Sequence, residues 1–516
     1  MSRPWLEVVE RFAHATGTPA STLAALHAFG GGEASSGPAD FAELEASIEA
    51  TLERQRVRIP ALLTGEIDAE QAAMFARRFM AVASVLAEQS RALIDARVLR
   101  IGLVRRMEEV LDAPGPRALR VRALADFYYS HAAVLHHQGQ SAPVAMKDAA
   151  TRLRWRDVAP GIRHGLLVGP GPRGPLHVNV LRLQDVRLRC VAVPRDGRAF
   201  ERYVDDSGAT TAISGGFFLY SEPDIALPSR RTDPVGLLVD AGRVLSPPVF
   251  HRSTLLQHAT GAIAIARVGL VGATVLLGGT PVTIAAANAP PPIESVTVPT
   301  AYNRAYGPVA PSHAGHSVAI VGHTVTAVAA GGAGALPIPL AGVVLALPPE
   351  TRPPEPGSTV TWSLPHSIDS AIAGGPRLLH AGAILIDREA EELRGSAPPI
   401  TFSQDETFDQ NLLPRMAAGL TDDGTVLLVA ADGRSFEHAP GLTLALTGEL
   451  MHALGCTVAM NLDGGSSKRM VVQGRVVDLP STEVQTGASD RELIRPVYTA
   501  VLAYPASSRS SSTSAA

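Results

Sequence analysis

From about residue 160 onward the chain is cut into short β-branched runs by Gly, Pro, Asp and Asn. Segments 178–183, 186–193, 425–430 and 497–503 are each six to eight residues long, the length of a strand and too short for a self-supporting helix. Segments 470–473 and 475–478 flank Gly474, which reads as a hairpin. Segments 259–279 and 317–347 are more apolar, but the first carries Arg267 and the second His323, Pro337 and Pro339. Both read as buried strands rather than membrane spans. One late segment has a helical period: Thr443 caps it, Leu446, Leu450 and Leu454 line it, and Gly455 ends it.

The first 140 residues have the opposite texture. Asp40 and Glu43 resemble a capping box, and Phe41, Leu44, Ile48 and Leu52 follow at spacings of three and four. A second pattern starts at Asp68, places Phe75, Phe79, Val82, Leu86 and Leu93 on one stripe, and ends at Pro114-Gly115-Pro116. A third covers 118–137. Long helices joined by short breaks predict an antiparallel bundle. His131, His136 and His137 fall near its end, with no adjacent acid or cysteine to complete a metal site. The expected fold class is therefore α+β. A separate all-α helical bundle occupies 1–145, a β-rich mixed-sheet domain 155–505, and a Ser-rich disordered tail 506–516.

Bulk properties narrow the function. Apolar residues make up 46% of the chain, enough for a large core. With 49 acids against 45 bases, neither nucleic acid nor an anionic membrane is expected as partner. Cys190 and Cys456 are too few for a disulfide framework or a four-cysteine zinc site. The first seven residues lack a basic region leading into an apolar core, so a cytoplasmic location is expected. No nucleophile elbow, phosphate-binding P-loop, dinucleotide fingerprint or zinc-peptidase helix occurs.

Three segments can carry chemistry. In 457–467 a buried strand runs into Asn461-Leu462-Asp463-Gly464-Gly465-Ser466-Ser467. A strand end fixes the aspartate, and the glycines admit a substrate to backbone N–H donors. In Ser214-Gly215-Gly216-Phe217-Phe218 a glycine pair meets paired aromatics. That is either a floor for a sugar ring or a bulge beside core phenylalanines. The third holds Arg415 beside a strand, followed by Asp432-Gly433. Asp405, Glu406 and Asp409 precede it as a solvated acidic loop in which a general acid or base is conceivable.

In this order the segments resemble the phosphodiester glycosidase family. The matching residues are 212–218, 415–419, Asp432-Gly433, 441–454 and 461–467, with 373–378 and Asp387 matching a further glycine–proline segment. The resemblance spans about 345 residues and excludes the N-terminal helices. It implies hydrolysis of a sugar C1–O–phosphate bond in a small phosphosugar or glycoconjugate. Arg415 then grips the phosphate, while Asp463 serves as nucleophile, base or electrostatic partner. Asn461 and Ser467 bind sugar hydroxyls or hold Asp463, Gly464 and Gly465 offer N–H groups, and Ser214, Gly215, Gly216, Phe217 and Asp432 contact substrate. No cofactor is predicted. A divalent cation between Asp463 and Asp432 stays open, as does self-association through the N-terminal helices. Ser214, Met416 and Ser466 depart from the family's Asn, Thr and Gly, and Lys468-Arg469 add two cations that would favour a more anionic ligand. A glycosidase acting on glycans without phosphate, and a domain that has lost catalysis and only binds carbohydrate or phosphate, also remain open.

Overall fold

A computed structural model describes residues 142–505 apart from 195, 219–233, 291–297, 332–334, 394–411, 435–437 and 480–495. The expected bundle therefore falls, except for its last four residues, outside the described residues, as do the acidic loop with Asp405, Glu406 and Asp409 and the tail 506–516. The α+β reading is corrected by what is described. Three short helices, α1 (Met146–Ala150), α2 (Phe200–Asp206) and α3 (Leu444–Ala453), accompany twenty-six strands, and no all-α bundle is seen among the described residues. The helical share of that reading rested on stripes upstream of residue 140. Downstream, among the described residues, only the segment behind Thr443 keeps a helical period over ten residues.

The mixed character of the sheets is confined to one short pair. Every described pairing is antiparallel except that of Ala286–Ala287 with Thr300–Tyr302. Short Gly- and Asp-rich connections suit antiparallel neighbours, whereas parallel strands need long crossovers.

The sheet that matters most has eight strands. Its order is Arg154–Ala159, Ile162–Gly171, Gly174–Leu183, Val426–Ala431, Arg415–Thr421, Cys456–Leu462, Arg377–His380 and Ala383–Ile384. Both faces are covered, which explains why Val426–Ala431 reads as an unbroken apolar run, VLLVAA. Leu427, Val429, Ala417 and Ala459 face α1 and α3, packing with Met146, Leu444 and Leu450. Leu428, Met416, Met460 and Leu462 face the other way, against Ile213, Leu255, Ile372 and Val501. Those four come from two five-stranded sheets. One runs Arg243–Ser246, Leu238–Asp240, Ile368–Ala373, Arg252–His258, Ile263–Val268. The other runs Arg475–Val476, Met470–Val472, Thr211–Ser214, Thr499–Pro505, Val186–Ala192. A further core around Phe217, Phe250, Val275 and Trp362 continues beyond the first of them.

Local signals fall where the sequence puts them. Thr443 Oγ1 accepts the Leu446 N–H at 3.0 Å at the start of α3, and Gly455 takes a φ of 90° just past its end. The hairpin at Gly474 pairs Val471 with Val476. Cys190 and Cys456 are free and buried, and burial pushes both thiols up to about 12. Among the described residues no helix is long and apolar enough to cross a membrane.

Leu428 has no exposed surface and stands at the centre of the eight-stranded sheet. Leu428→Ala is expected to cost about 2–5 kcal/mol, read as a drop in the urea midpoint at unchanged slope. A loss below about 1 kcal/mol would contradict its place in a close-packed core.

Candidate functional site

The ladder between Arg415–Thr421 and Cys456–Leu462 pairs Met416 with Leu462 and Ala417 with Asn461. One step further out lie Arg415 and Asp463, the latter just past the strand end with its N–H turned to the Gly215 carbonyl. Side chains alternate across a strand. Met416 and Leu462 point to the sheet-facing core, so Arg415 and Asn461 point to the other face. Arg415 is 2% exposed and donates from Nε to the Leu442 carbonyl at 2.9 Å, just before α3.

Backbone contacts draw four glycine segments to this rim. Asp463 N–H donates to the Gly215 carbonyl at 3.1 Å. Gly375 N–H donates to the Asn461 carbonyl at 2.8 Å, Asn461 N–H to the Pro376 carbonyl at 3.0 Å, and Gly465 N–H to the Pro414 carbonyl at 2.9 Å. The last bond takes one of the two N–H groups expected to face substrate. A Cβ on Gly464 would stand 2.4 Å from the Pro414 oxygen, and one on Gly216 would stand 2.3 Å from the Ala373 oxygen. Glycine is required at both because backbone meets backbone.

Around Asp463 the lining is polar although buried. Asn461 Nδ2 donates to the Gly375 carbonyl at 3.1 Å, while its Oδ1 has no partner. Ser467 Oγ, 1% exposed as a residue, likewise has none. Arg434, at a φ of 60°, donates from Nη1 to Ser466 Oγ at 3.3 Å.

Other expected site residues serve as structure. Ser214 Oγ accepts the Arg469 N–H at 3.0 Å. Phe217 is 3% exposed and belongs to the apolar core, and Phe218 meets Tyr498 edge to face at 4.9 Å. Asp432 accepts from His177 Nδ1, from Lys468 Nζ at 2.5 Å and from Leu479 N–H at 3.2 Å. Lys468 has no exposed surface and also binds Asp478 at 2.5 Å and the Leu479 carbonyl at 3.1 Å. Burial alone would pull its ammonium down, but Asp432 and Asp478 outweigh that and hold it above the usual lysine value. Burial raises Asp478, and Lys468 works against it. The Lys468 charge is therefore spent inside the fold and does not reach a ligand. Among the described residues no group of three or more His, Cys, Asp or Glu is arranged to hold a metal ion.

Sequence reading missed Glu391. Wholly buried, it accepts from Ser253 N–H at 2.8 Å, Ser253 Oγ at 3.0 Å and Arg377 N–H at 2.7 Å. It thereby clamps the segment after the cis Gly375–Pro376 bond. Its run, Arg388-Glu389-Ala390-Glu391-Glu392, reads as a solvated stretch, and nothing local marks one of its acids as internal.

SPbeta prophage-derived uncharacterized protein YomE of Bacillus subtilis (strain 168) is 34% identical over 77 residues, 15% of this chain and 12% of that protein. A hypothetical protein from Synechocystis aligns at 20% identity and a TM-score of 0.43, over 68% of this chain and 63% of that one. The catalytic domain of zebrafish N-acetylglucosamine-1-phosphodiester alpha-N-acetylglucosaminidase, auto-inhibited by its pro-peptide, aligns at 12% identity and a TM-score of 0.37, over 68% of this chain and 87% of that one. Residues 311–504 match the model of the family described as phosphodiester glycosidase. That stretch, which holds Arg415, Asp432, Asn461 and Asp463, is where this chain is similar to the phosphodiester glycosidase family.

Proposed function

We propose that this chain hydrolyses the C1–O bond of a sugar-1-phosphodiester, releasing the sugar and a phosphomonoester. The observation that supports this most is the register that pairs Met416 with Leu462, the residues next to Arg415 and Asp463. The family of residues 311–504 is one of phosphodiester glycosidases, which supports hydrolysis as the reaction class.

Each group has a chemical task in this reading. The C1–O bond breaks with its electron pair going to the phosphate oxygen, and a water oxygen completes the new C1–OH. The departing phosphomonoester has a second pKa near ~6, so it leaves without strong acid help and the water's proton passes to solvent. What the leaving group needs is positive charge. Arg415 supplies it, with the guanidinium plane fixed by the Leu442 carbonyl. The sugar carbon becomes oxocarbenium-like and is stabilised by the Asp463 carboxylate. Asn461 Oδ1 and Ser467 Oγ, buried without partners, would take sugar hydroxyls. Leaving such atoms unpaired costs about 1–3 kcal/mol each, and a substrate removes that cost.

Asp463→Asn keeps size and shape but loses the charge. It is expected to lower kcat on a sugar-1-phosphodiester by roughly 100-fold or more, with the thermal midpoint nearly unchanged. Turnover equal to wild type in the folded variant would remove Asp463 from the chemistry. Arg415→Lys replaces a planar fork by a point charge, and a fall of about 100- to 1000-fold in kcat is expected. A matched glycoside lacking phosphate should be left intact by the wild-type protein. Equal rates on both would remove phosphate, and with it the task given to Arg415.

A further inference from the structure

Among the described residues, two basic side chains have no exposed surface at all, Lys468 and Arg252. Lys468 is matched on every side by Asp432, Asp478 and the Leu479 carbonyl. Arg252, the first residue of strand Arg252–His258, has no hydrogen-bond partner at Nε, Nη1 or Nη2. Its guanidinium lies 4.4 Å from the Phe250 ring centroid and 6.0 Å from that of Phe217. Ring faces recover part of the lost hydration of a cation, but they leave five N–H donors unanswered. Burial pulls its pKa down to about 10, with Glu392 and Glu391 acting the other way. It is therefore charged at neutral pH.

The two acids do not close the account by hydrogen bonding. Glu391 answers Ser253 and the Arg377 N–H. Glu392 answers the His251 N–H at 2.9 Å and Nδ2 of Asn288 and Asn303 at 2.8 Å each. A buried guanidinium in this state calls for a ligand oxygen. Backbone hydrogen bonds connect the neighbours of Arg252 to the rim segments on two sides. The next residue, Ser253, offers its carbonyl to Gly374 N–H at 2.9 Å, and Gly375 N–H binds the Asn461 carbonyl. Phe217, on its other flank, lies two residues from Gly215, whose carbonyl accepts the Asp463 N–H.

We propose that Arg252 holds an oxyanion, a phosphate or a carboxylate, in a subsite walled by Phe217 and Phe250. The anion site stands apart from the reading of the rim as a hydrolytic centre, since both rings belong to the core beyond that sheet. Because Arg252 has no exposed surface, an oxyanion reaches it through local opening, and equilibrium binding is the proper readout.

The test is calorimetric titration of inorganic phosphate, and separately of acetate, into the full chain as wild type, Arg252→Met, Arg415→Lys and the double variant. Arg252→Met should bind the oxyanion roughly 10- to 100-fold more weakly than its parent in both backgrounds. Without ligand it should be at least as stable as its parent, since an unpaired buried charge has gone. Uptake of phosphate but not acetate assigns a phosphate group to the subsite, and the reverse assigns a carboxylate. Equal affinity with and without Arg252 overturns the proposal and leaves Arg252 as a distant counter-charge for Glu391 and Glu392. Should Arg252→Met fail to fold, Arg252→Lys carries the same test: about ten-fold weaker binding is expected, and unchanged binding overturns it. No turnover enters these readings, so the anion site fails or stands separately from the hydrolase reading.

Discussion

Everything at the rim depends on the register of Arg415–Thr421 against Cys456–Leu462. A slip of one residue would send each side chain of a strand to the other face, parting Arg415 from Asp463 and turning Met416 toward the helices. Burial on both faces holds that register. Ala417 and Ala459 are needed against α3, and Met416, Met460 and Leu462 against the opposing sheets. At the end of the ladder the Gly465 N–H bond to the Pro414 carbonyl continues the same alignment into the turn, so the turn cannot shift independently of the strands.

A second constraint is electrostatic. Lys468 follows directly on the turn and is buried between Asp432 and Asp478. Asp432 also holds His177 from the neighbouring strand. Buried ion pairs add little net stability, but removing one partner leaves an uncompensated charge and costs about 3–5 kcal/mol. The network therefore fixes where the turn can sit. It also gives Lys468 a structural role that composition alone does not show.

Local features were legible in the sequence because local chemistry decides them. Thr443 as a cap, Gly455 as a stop and Gly474 as a hairpin turn each follow from one or two residues. The meeting of the Gly215, Gly375, Arg415 and Asp463 segments was reachable only through the resemblance of their order to the phosphodiester glycosidase family. Partnerships over long distances were not. Lys468 with Asp432 and Asp478, Glu391 with Ser253, and Arg252 with the Phe217 and Phe250 rings depend on which strands become neighbours, and an acid or base in a charged run looks solvated whatever its fate. Phe217 misled for a related reason: an aromatic after two glycines serves a sugar ring or a core equally well, and here it packs into the core. The antiparallel order of the sheets was likewise not carried by any single run.

The central claim is that the bond cut is C1–O, between Arg415 and Asp463, and not P–O. Hydrolysis of a sugar-1-phosphodiester in water enriched in oxygen-18, followed by mass analysis of both products, separates the two. C1–O cleavage places the heavy oxygen on the anomeric carbon of the released sugar and leaves the phosphomonoester unlabelled. Label found in the phosphate instead would mean attack at phosphorus, and the roles assigned to Arg415 and Asp463 would have to be abandoned.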